Sequence, residues 1–266
     1  MNDTPPDELT YGSYLKIDEL LSLQQPQSKP VEHDELLFII IHQVYELWFK
    51  EVLHELDELG DHLDDDRPAL SGHQLKRVLK ILKTLVAQLD VLETMTPLEF
   101  VSFRSFLARS SGFQSAQFRE LEYLLGMKNP AHLERFVDNE REYQNLQRRL
   151  DAPSLWDNFV RYVARQGYPV DHALLDRDIT QPVTESPSMQ EVLVTIYRDD
   201  PALGRLCESL TDFDEGLQEW RYRHMMMVQR TIGTKVGTGG SEGVEYLRST
   251  LFTPAFPDLW AVRSLL

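Results

Sequence analysis

The sequence contains a single cysteine, Cys207, and no long apolar run. One thiol cannot form an intrachain disulfide or a thiolate zinc site, so we expect a reducing compartment and a cytoplasmic protein. The longest apolar stretch, residues 36–41, is far below the roughly 18 residues that span a bilayer. The acidic, proline-containing N-terminus also lacks the pattern of a secretory signal. These absences predict a protein with no membrane partner.

Positive charge is also scarce, since 27 basic residues face 43 acidic ones and the formal net charge is −16. Sequence-independent binding to nucleic acid or to an anionic membrane needs a positive surface, so we expect neither partner. The charge balance leaves open an internal basic pocket for a small anion. The apolar fraction of 42% and the charged fraction of 26% are ordinary for a globular protein.

Apolar residues recur every three or four positions along most of the chain, and no segment alternates as a strand would. This period predicts an all-α fold with a single helical domain over residues 33–266. Residues 1–32 are predicted to form an N-terminal arm with a short helix. Ser71, Pro97 and Ser154 are typical helix-start signals. The predicted helices cover residues 14–24, 34–63, 71–93, 97–107, 115–125, 130–150, 154–166, 188–198, 201–232 and 243–250, with an irregular segment at 167–187.

Two histidines lie on apolar helix faces. His224 shares a face with Trp220 and Val228. Such a position suits either a haem axial ligand or a core histidine, and periodicity alone favours the core histidine. His42 lies one turn from Phe38 and Tyr45, so it is either a pocket-wall group or a core histidine bonded to a backbone carbonyl. The pattern does not separate these two interpretations of His42.

A third histidine, His54, follows Glu51 with the E-x-x-H spacing of di-iron helical bundles. Such a site needs a second copy of the motif and two further carboxylates on partner helices. The sequence shows no second copy, and His54 lies among acidic positions. The pattern therefore favours a solvated helix face.

Arg104 stands between Phe103 and Phe106, one turn after Phe100. An arginine in this setting either lies at the edge of an apolar face or presents its planar fork to a substrate carboxylate. Ser111 with Gly112, and the glycine-rich residues 237–241, could offer backbone N–H groups to an anion. The second stretch lacks the spacing of a phosphate-binding P-loop and follows a helix.

Five segments of the chain carry a more specific signal when they are taken together. They are YGSYLKIDELL (11–21), HDELLFIIIHQVYELWFKEVLHELD (33–57), FRSFLARSSGFQSAQFRELE (103–122), WRYRHMMMVQR (220–230) and GTGGSEGVEYLRST (237–250). In this order they resemble the tryptophan 2,3-dioxygenase family, haem enzymes that open the indole ring. The resemblance covers essentially the whole chain.

The resemblance implies that the helical domain encloses a pocket for haem b, one per subunit and ferrous in the active form. It implies insertion of O2 across the indole C2–C3 bond of L-tryptophan to give N-formyl-L-kynurenine, the first step of tryptophan degradation by the kynurenine pathway. It also implies a homotetramer. The alternative is a non-catalytic haem-binding sensor or storage protein, which would not need a clamp for an amino-acid zwitterion.

Residue by residue, the resemblance makes His224 the axial ligand of the haem iron. It makes His42 the catalytic-site group that hydrogen-bonds the indole N–H. It assigns the substrate carboxylate to Arg104, with Thr238 holding both the carboxylate and the ammonium group. One departure is Glu242, where a small residue such as serine is expected.

The resemblance also implies a wider set of contacts. The indole pocket is expected to have aromatic walls, with Phe100 at a position where some family members have tyrosine. One loop is expected to lie near both haem and substrate, and an N-terminal segment to reach a neighbouring subunit's site. The residues concerned are Phe38 and Phe100 in the walls, Ser111 and Gly112 in the loop, and Tyr11, Tyr14 and Leu15 in the N-terminal segment.

Overall fold

A computed structural model of the chain describes residues 9–108, 110–235, 237 and 243–266. These residues contain no β-strand, so the predicted all-α class is confirmed. No helix among them is long and apolar enough to cross a membrane. The helices are α1 Tyr11–Leu15, α2 Ile17–Leu21, α3 Glu35–Asp64, α4 Pro68–Leu92, α5 Pro97–Arg104, α6 Ala116–Leu124, α7 Glu140–Asp151, α8 Leu155–Arg165, α9 His172–Leu175, α10 Pro187–Asp199, α11 Pro201–Ile232, α12 Val244–Ser249 and α13 Pro257–Ala261.

The three longest helices, α3, α4 and α11, form the centre of the domain. Helix α4 packs against both of the others, because its apolar residues recur at three and four positions on a broad stripe. Tyr45 of α3 donates a hydrogen bond of 2.5 Å to the carbonyl of Leu85 in α4. The side chains buried between these helices include Leu56, Leu59, Leu75, Val78, Leu82, Leu85, Phe213 and Leu217.

Two of the predicted helix starts are confirmed by their capping geometry. Thr96 caps α5 with Pro97 at the first helical position, and Glu99 completes a reciprocal capping box. Ser154 caps α8 with Asp157 as its reciprocal partner. Each box satisfies backbone N–H groups that would otherwise lack partners at a helix start.

The predicted start at Ser71 is wrong, since α4 begins at Pro68 and contains Ser71 in its interior. Proline suits the first turn because its φ is already helical and its missing N–H would have no intrahelical partner there. The hydroxyl of Ser71 is buried and has no hydrogen-bond partner among the described residues.

Three predicted helices are each divided in two, and the simplest case is 97–107, which forms α5 and then the 3-10 helix Ser105–Leu107. The segment predicted as one helix over 130–150 is a 3-10 helix, Pro130–Phe136, followed by α7. Asn139 accepts a hydrogen bond from the N–H of Glu142 and so starts α7 as a separate helix. The N-terminal helix is divided at Lys16, whose φ of 54° is left-handed and ends α1. These last two divisions depend on local backbone and side-chain hydrogen bonds, which the spacing of apolar residues does not reveal.

The start of α3 is held by a buried carboxylate. Glu35 is 1% exposed and accepts hydrogen bonds from the N–H of Gln27 at 2.7 Å, and from the N–H and hydroxyl of Ser28 at 3.0 Å and 2.5 Å. Burial acts to raise the pKa of Glu35, but these hydrogen bonds outweigh burial and hold the pKa below its usual 4.5. The contacts anchor residues 27 and 28 to the helix that carries Phe38 and His42.

We expect Glu35→Gln to lower the free energy of unfolding by about 1–3 kcal/mol at neutral pH, because charge-assisted hydrogen bonds at a buried site are lost. A depressed pKa stabilises the fold above the unfolded-state value, and that stabilisation disappears as the pH falls through the folded-state pKa. The difference from wild type should therefore shrink in acid. Urea unfolding followed across this pH range measures it, with Asp61→Asn, an exposed change on the same helix, as control. A constant difference at all pH values would contradict the assignment.

Candidate functional site

A deep pocket opens between α3, α4, α5, α6, α11 and α12. It encloses about 1560 Å³ of space free of protein atoms, with its open mouth included. Most of its wall is aromatic or aliphatic, with a few polar and charged side chains, which is typical of a small-molecule or cofactor site. The apolar wall includes Phe38, Ile41, Phe49, Leu89, Leu92, Phe100, Phe118, Trp220, Met227 and Val228.

The pocket brings together candidate residues that are far apart in the sequence. Those that line it are Phe38, His42, Phe100, Arg104, Ser111, Gly112 and His224. Thr238 and Glu242 lie outside the described residues, although Gly237 and Gly243 on either side of them line the pocket. The pocket therefore extends to Gly237 and Gly243, the residues on either side of positions 238–242.

The remaining candidates lie elsewhere. Tyr11, Tyr14 and Leu15 belong to α1, where their side chains are 78%, 72% and 43% exposed and do not line this pocket. His54 is exposed on α3, as expected for a solvated face. Among the described residues no group of three or more histidine, cysteine, aspartate or glutamate side chains could hold a metal ion, so the E-x-x-H motif has no partners there.

His42 lines the pocket and also bonds a backbone carbonyl, but it is not a core residue because its side chain keeps contact with solvent. Its Nδ1 lies 2.7 Å from the carbonyl oxygen of Phe38. A carbonyl only accepts, so Nδ1 carries the proton and the Nε2 of the neutral ring is an acceptor. The ring packs against Phe38 at 4.1 Å between centroids, and Phe38 in turn contacts Phe100 at 5.7 Å.

The electrostatic setting of His42 favours the neutral ring. The side chain keeps contact with solvent through the pocket, but protein surrounds it there. This burial lowers the pKa of His42, while the hydrogen bond to Phe38 and the nearby carboxylate of Glu46 act in the opposite direction. A neutral imidazole with a fixed Nδ1–H can accept one hydrogen bond from a ligand in the pocket.

His224 is held by an aromatic stack on α11. Its ring is parallel to that of Trp220, with 5.2 Å between centroids and an interplanar angle of 5°. Trp220 is itself enclosed by Phe118 at 5.2 Å and Phe49 at 6.0 Å. No hydrogen-bond partner of the His224 imidazole is found in the described part of the chain, although the ring lines the pocket. Stacking rather than hydrogen bonding therefore orients this ring.

Burial lowers the pKa of His224 to about 4, with a smaller contribution from His42. The imidazole is therefore neutral at physiological pH. A neutral imidazole has a lone pair on one ring nitrogen, which is the form that binds metals.

Arg104 and the loop after it form another part of the wall. Arg104 is the last residue of α5 and is half-buried. In the following loop, Ser111 caps the 3-10 helix Gly112–Gln114, and its N–H donates to Oε1 of Gln114 at 3.1 Å. That N–H is thus already engaged, so within this loop the N–H of Gly112 is the better donor for a pocket anion.

A buried group of charges on the pocket wall was not predicted from the sequence. Arg119, Glu122 and Arg221 line the pocket and are 4%, 6% and 6% exposed. Glu122 accepts hydrogen bonds from Arg119 at 2.5 Å and from Arg221 at 3.1 Å. Charged residues in a helical period usually mark the solvated face, which hides such a group. The sequence held one signal for Arg221: it lies three residues before His224 and so shares the apolar face of the helix.

Comparison with known proteins gives one family. The profile of that family, tryptophan 2,3-dioxygenase, matches residues 2–154 and 177–266. A protein of Herpetosiphon aurantiacus named tryptophan 2,3-dioxygenase is 56% identical over 96% of this chain and 98% of its own length. One of the same name from Anaeromyxobacter dehalogenans is 55% identical over 97% of this chain and 96% of its own.

Proposed function

The chain belongs to the tryptophan 2,3-dioxygenase family, and from that premise we propose that it is a haem-dependent dioxygenase acting on L-tryptophan and O2. The reaction inserts both oxygen atoms across the indole C2–C3 bond and yields N-formyl-L-kynurenine. The observation that carries this proposal is the pocket in which two neutral histidines, His42 and His224, lie with Arg104. A haem protein without catalysis has no use for such a group of substrate contacts.

The donors of the pocket fit a haem. The porphyrin supplies four nitrogens to its iron, so the protein needs to supply only one axial ligand. His224 suits that role because its ring is neutral, oriented by Trp220 and directed to the pocket. We assign it as the axial ligand of one haem b per subunit, ferrous in the active form. When bound, the haem supplies the site where O2 binds and is activated.

The protein's own contribution is to orient tryptophan. Phe38 and Phe100, in contact with each other, present flat apolar surfaces that suit an indole ring. Nε2 of His42 is the acceptor for the indole N–H, because Nδ1 is engaged by Phe38. His42 thus acts as a catalytic group that touches the substrate and holds the N–H in place. Holding the reactants in position is a large part of catalysis in such sites.

The amino-acid end of the substrate is a zwitterion. The guanidinium of Arg104 is assigned to the carboxylate of the substrate, to which it can donate two parallel hydrogen bonds. Thr238 is assigned to the carboxylate and the ammonium group, and Ser111 and Gly112 to the loop beside haem and substrate. The position of Gly237 and Gly243 on the wall supports placing Thr238 at this end of the pocket.

The N-terminal arm, residues 1–32, is assigned to a neighbouring subunit's site in a homotetramer, with residues 33–266 as the catalytic domain. Its support is exposure, since Tyr11 and Tyr14 present large aromatic side chains to solvent from a capped helix. Exposed aromatic groups of this kind mark interaction surfaces. A cytoplasmic location is also part of the proposal and is supported by Cys207, a single buried thiol.

We expect His224→Ala to abolish haem retention, or to leave a haem site without turnover, because the axial ligand is removed. The visible absorption spectrum of the purified protein and the formation of N-formyl-L-kynurenine measure both effects. His54→Ala, at an exposed position outside the pocket, should leave both unchanged. A His224→Ala protein with a normal haem spectrum and full activity would falsify the assignment.

We expect Arg104→Ala to weaken tryptophan binding by roughly 1.5–3 kcal/mol, the range for a lost charged hydrogen bond. Tryptamine lacks the carboxylate, so its affinity should change much less. Ligand-induced changes in the haem spectrum give both dissociation constants, and Arg198→Ala at an exposed position is the control. If wild type bound tryptamine as well as tryptophan, Arg104 would not be the carboxylate group.

We expect a protein lacking residues 1–15 to lose activity while the catalytic domain stays folded, because the arm completes a neighbouring site. Activity, circular dichroism and the haem spectrum are the measurements. Full activity of the shortened chain would rule out a contribution of Tyr11, Tyr14 and Leu15 to catalysis.

A further inference from the structure

The buried charges on the pocket wall do not balance. Two guanidinium groups, Arg119 and Arg221, share the single carboxylate of Glu122. The other carboxylate on this wall, Glu46, accepts a hydrogen bond from Gln117 at 2.8 Å. Among the described residues it makes no ion pair with either arginine. Two buried positive charges thus share one negative charge, and because uncompensated charge in a protein interior is unfavourable, the group is suited to bind an anion.

The two arginines differ in how far their donors are used. Nη2 of Arg221 donates to Glu122 at 3.1 Å and to the sulfur of Met127 at 3.2 Å, and its Nη1 approaches the carbonyl of Thr253 at 3.5 Å. Arg119 donates from Nη1 alone, to Glu122 and to the hydroxyl of Tyr246 at 3.3 Å. Within the described residues, Nε and Nη2 of Arg119 have no acceptor. This edge is a planar pair of donors suited to a carboxylate.

The guanidinium of Arg119 is held in place before any ligand arrives. Its Cζ lies 5.6 Å from the ring centroid of Phe118 and 5.9 Å from those of Phe113 and Tyr246. Cation–π contacts of this length stabilise a positive charge in an apolar wall. A pre-oriented fork loses little conformational freedom when it binds.

The two buried arginines lie on the same pocket wall as His224, the proposed axial ligand. Arg221 is one helical turn before His224 on the same face of α11, and both line the pocket with Arg119. The substrate carboxylate is assigned to Arg104, which comes from a different helix, α5. A second carboxylate would be available from the haem itself, which carries propionate side chains.

We propose that the Nε–Nη2 edge of Arg119 binds a propionate carboxylate of the haem, with Glu122 and Tyr246 holding the arginine in position. This rests on the proposed function, because it requires that the pocket takes a haem. The ligand chemistry is a carboxylate, and the substrate is its other possible source. The experiment therefore removes each carboxylate separately.

The test compares holoenzymes reconstituted with haem or with haem dimethyl ester, in which both propionates are neutral. The rate of transfer to excess apomyoglobin is measured for wild type and Arg119→Gln. We expect wild type to release haem about 10- to 100-fold more slowly than it releases the dimethyl ester. This ratio corresponds to the free energy of one charged hydrogen bond. In Arg119→Gln the haem rate should rise to near the ester rate, while the ester rate changes little.

Matched variants separate this role from a structural one. Arg135 is exposed and lies 5.8 Å from the ring centroid of Phe113, so Arg135→Gln removes a nearby charge and should keep the wild-type difference between haem and ester. Arg119→Lys keeps the charge without the planar fork and should give an intermediate rate. We expect Arg119→Gln to fold, because Glu122 keeps Arg221 as its partner in that variant. If it does not fold, Arg119→Lys takes its place in the comparison.

Equal acceleration of haem and ester loss in Arg119→Gln would overturn the proposal, since it would indicate a structural role. An unchanged haem rate with weakened binding of tryptophan but not of tryptamine would also overturn it, and would assign the edge to the substrate. Failure of wild type to retain haem would refute the proposed function itself. That outcome is distinct, because it is seen before any variant is compared.

Discussion

The packing of α4 against both α3 and α11 is the constraint on which the site depends. Each of these long helices has an apolar stripe that must be buried, and α4 covers part of both. The pocket is lined by the remaining parts of the α3 and α11 stripes and by the C-terminal end of α4, which contributes Leu89 and Leu92. His42 lies on the α3 face of the pocket and His224 on the α11 face. Their juxtaposition therefore follows from core packing.

Within the pocket, two different physical means orient the two histidines. His42 is fixed by a hydrogen bond from Nδ1 to its own helix, which leaves Nε2 as the acceptor of the neutral ring. His224 is fixed by parallel contact with Trp220, which leaves its nitrogens without a protein partner among the described residues. Burial keeps both rings neutral by lowering their pKa values. Each neutral ring therefore keeps a nitrogen lone pair, and in the proposed function His42 uses it to accept a hydrogen bond and His224 to bind the haem iron.

Sequence periodicity predicted the fold well where helix ends carry strong signals. The bounds of α11 were predicted correctly because Pro201 suits a first turn and Gly233 follows the last residue. The start of α4 and the division at Asn139 were missed because each depends on a competition between neighbouring signals. For the site, periodicity left His224 more consistent with a core histidine, and only the resemblance of five ordered segments reversed that interpretation.

The all-α class, the long helices and the candidate residues could be predicted from the order of amino acids, because helical period and residue chemistry are local properties. The same order could not show that the pocket residues meet, since contacts between α3, α5, α6 and α11 join positions far apart in the chain. Tertiary structure alone decided the burial of Arg119, Glu122 and Arg221. A charged side chain on a helix is expected to face solvent unless another helix packs over it, and that packing is a tertiary contact.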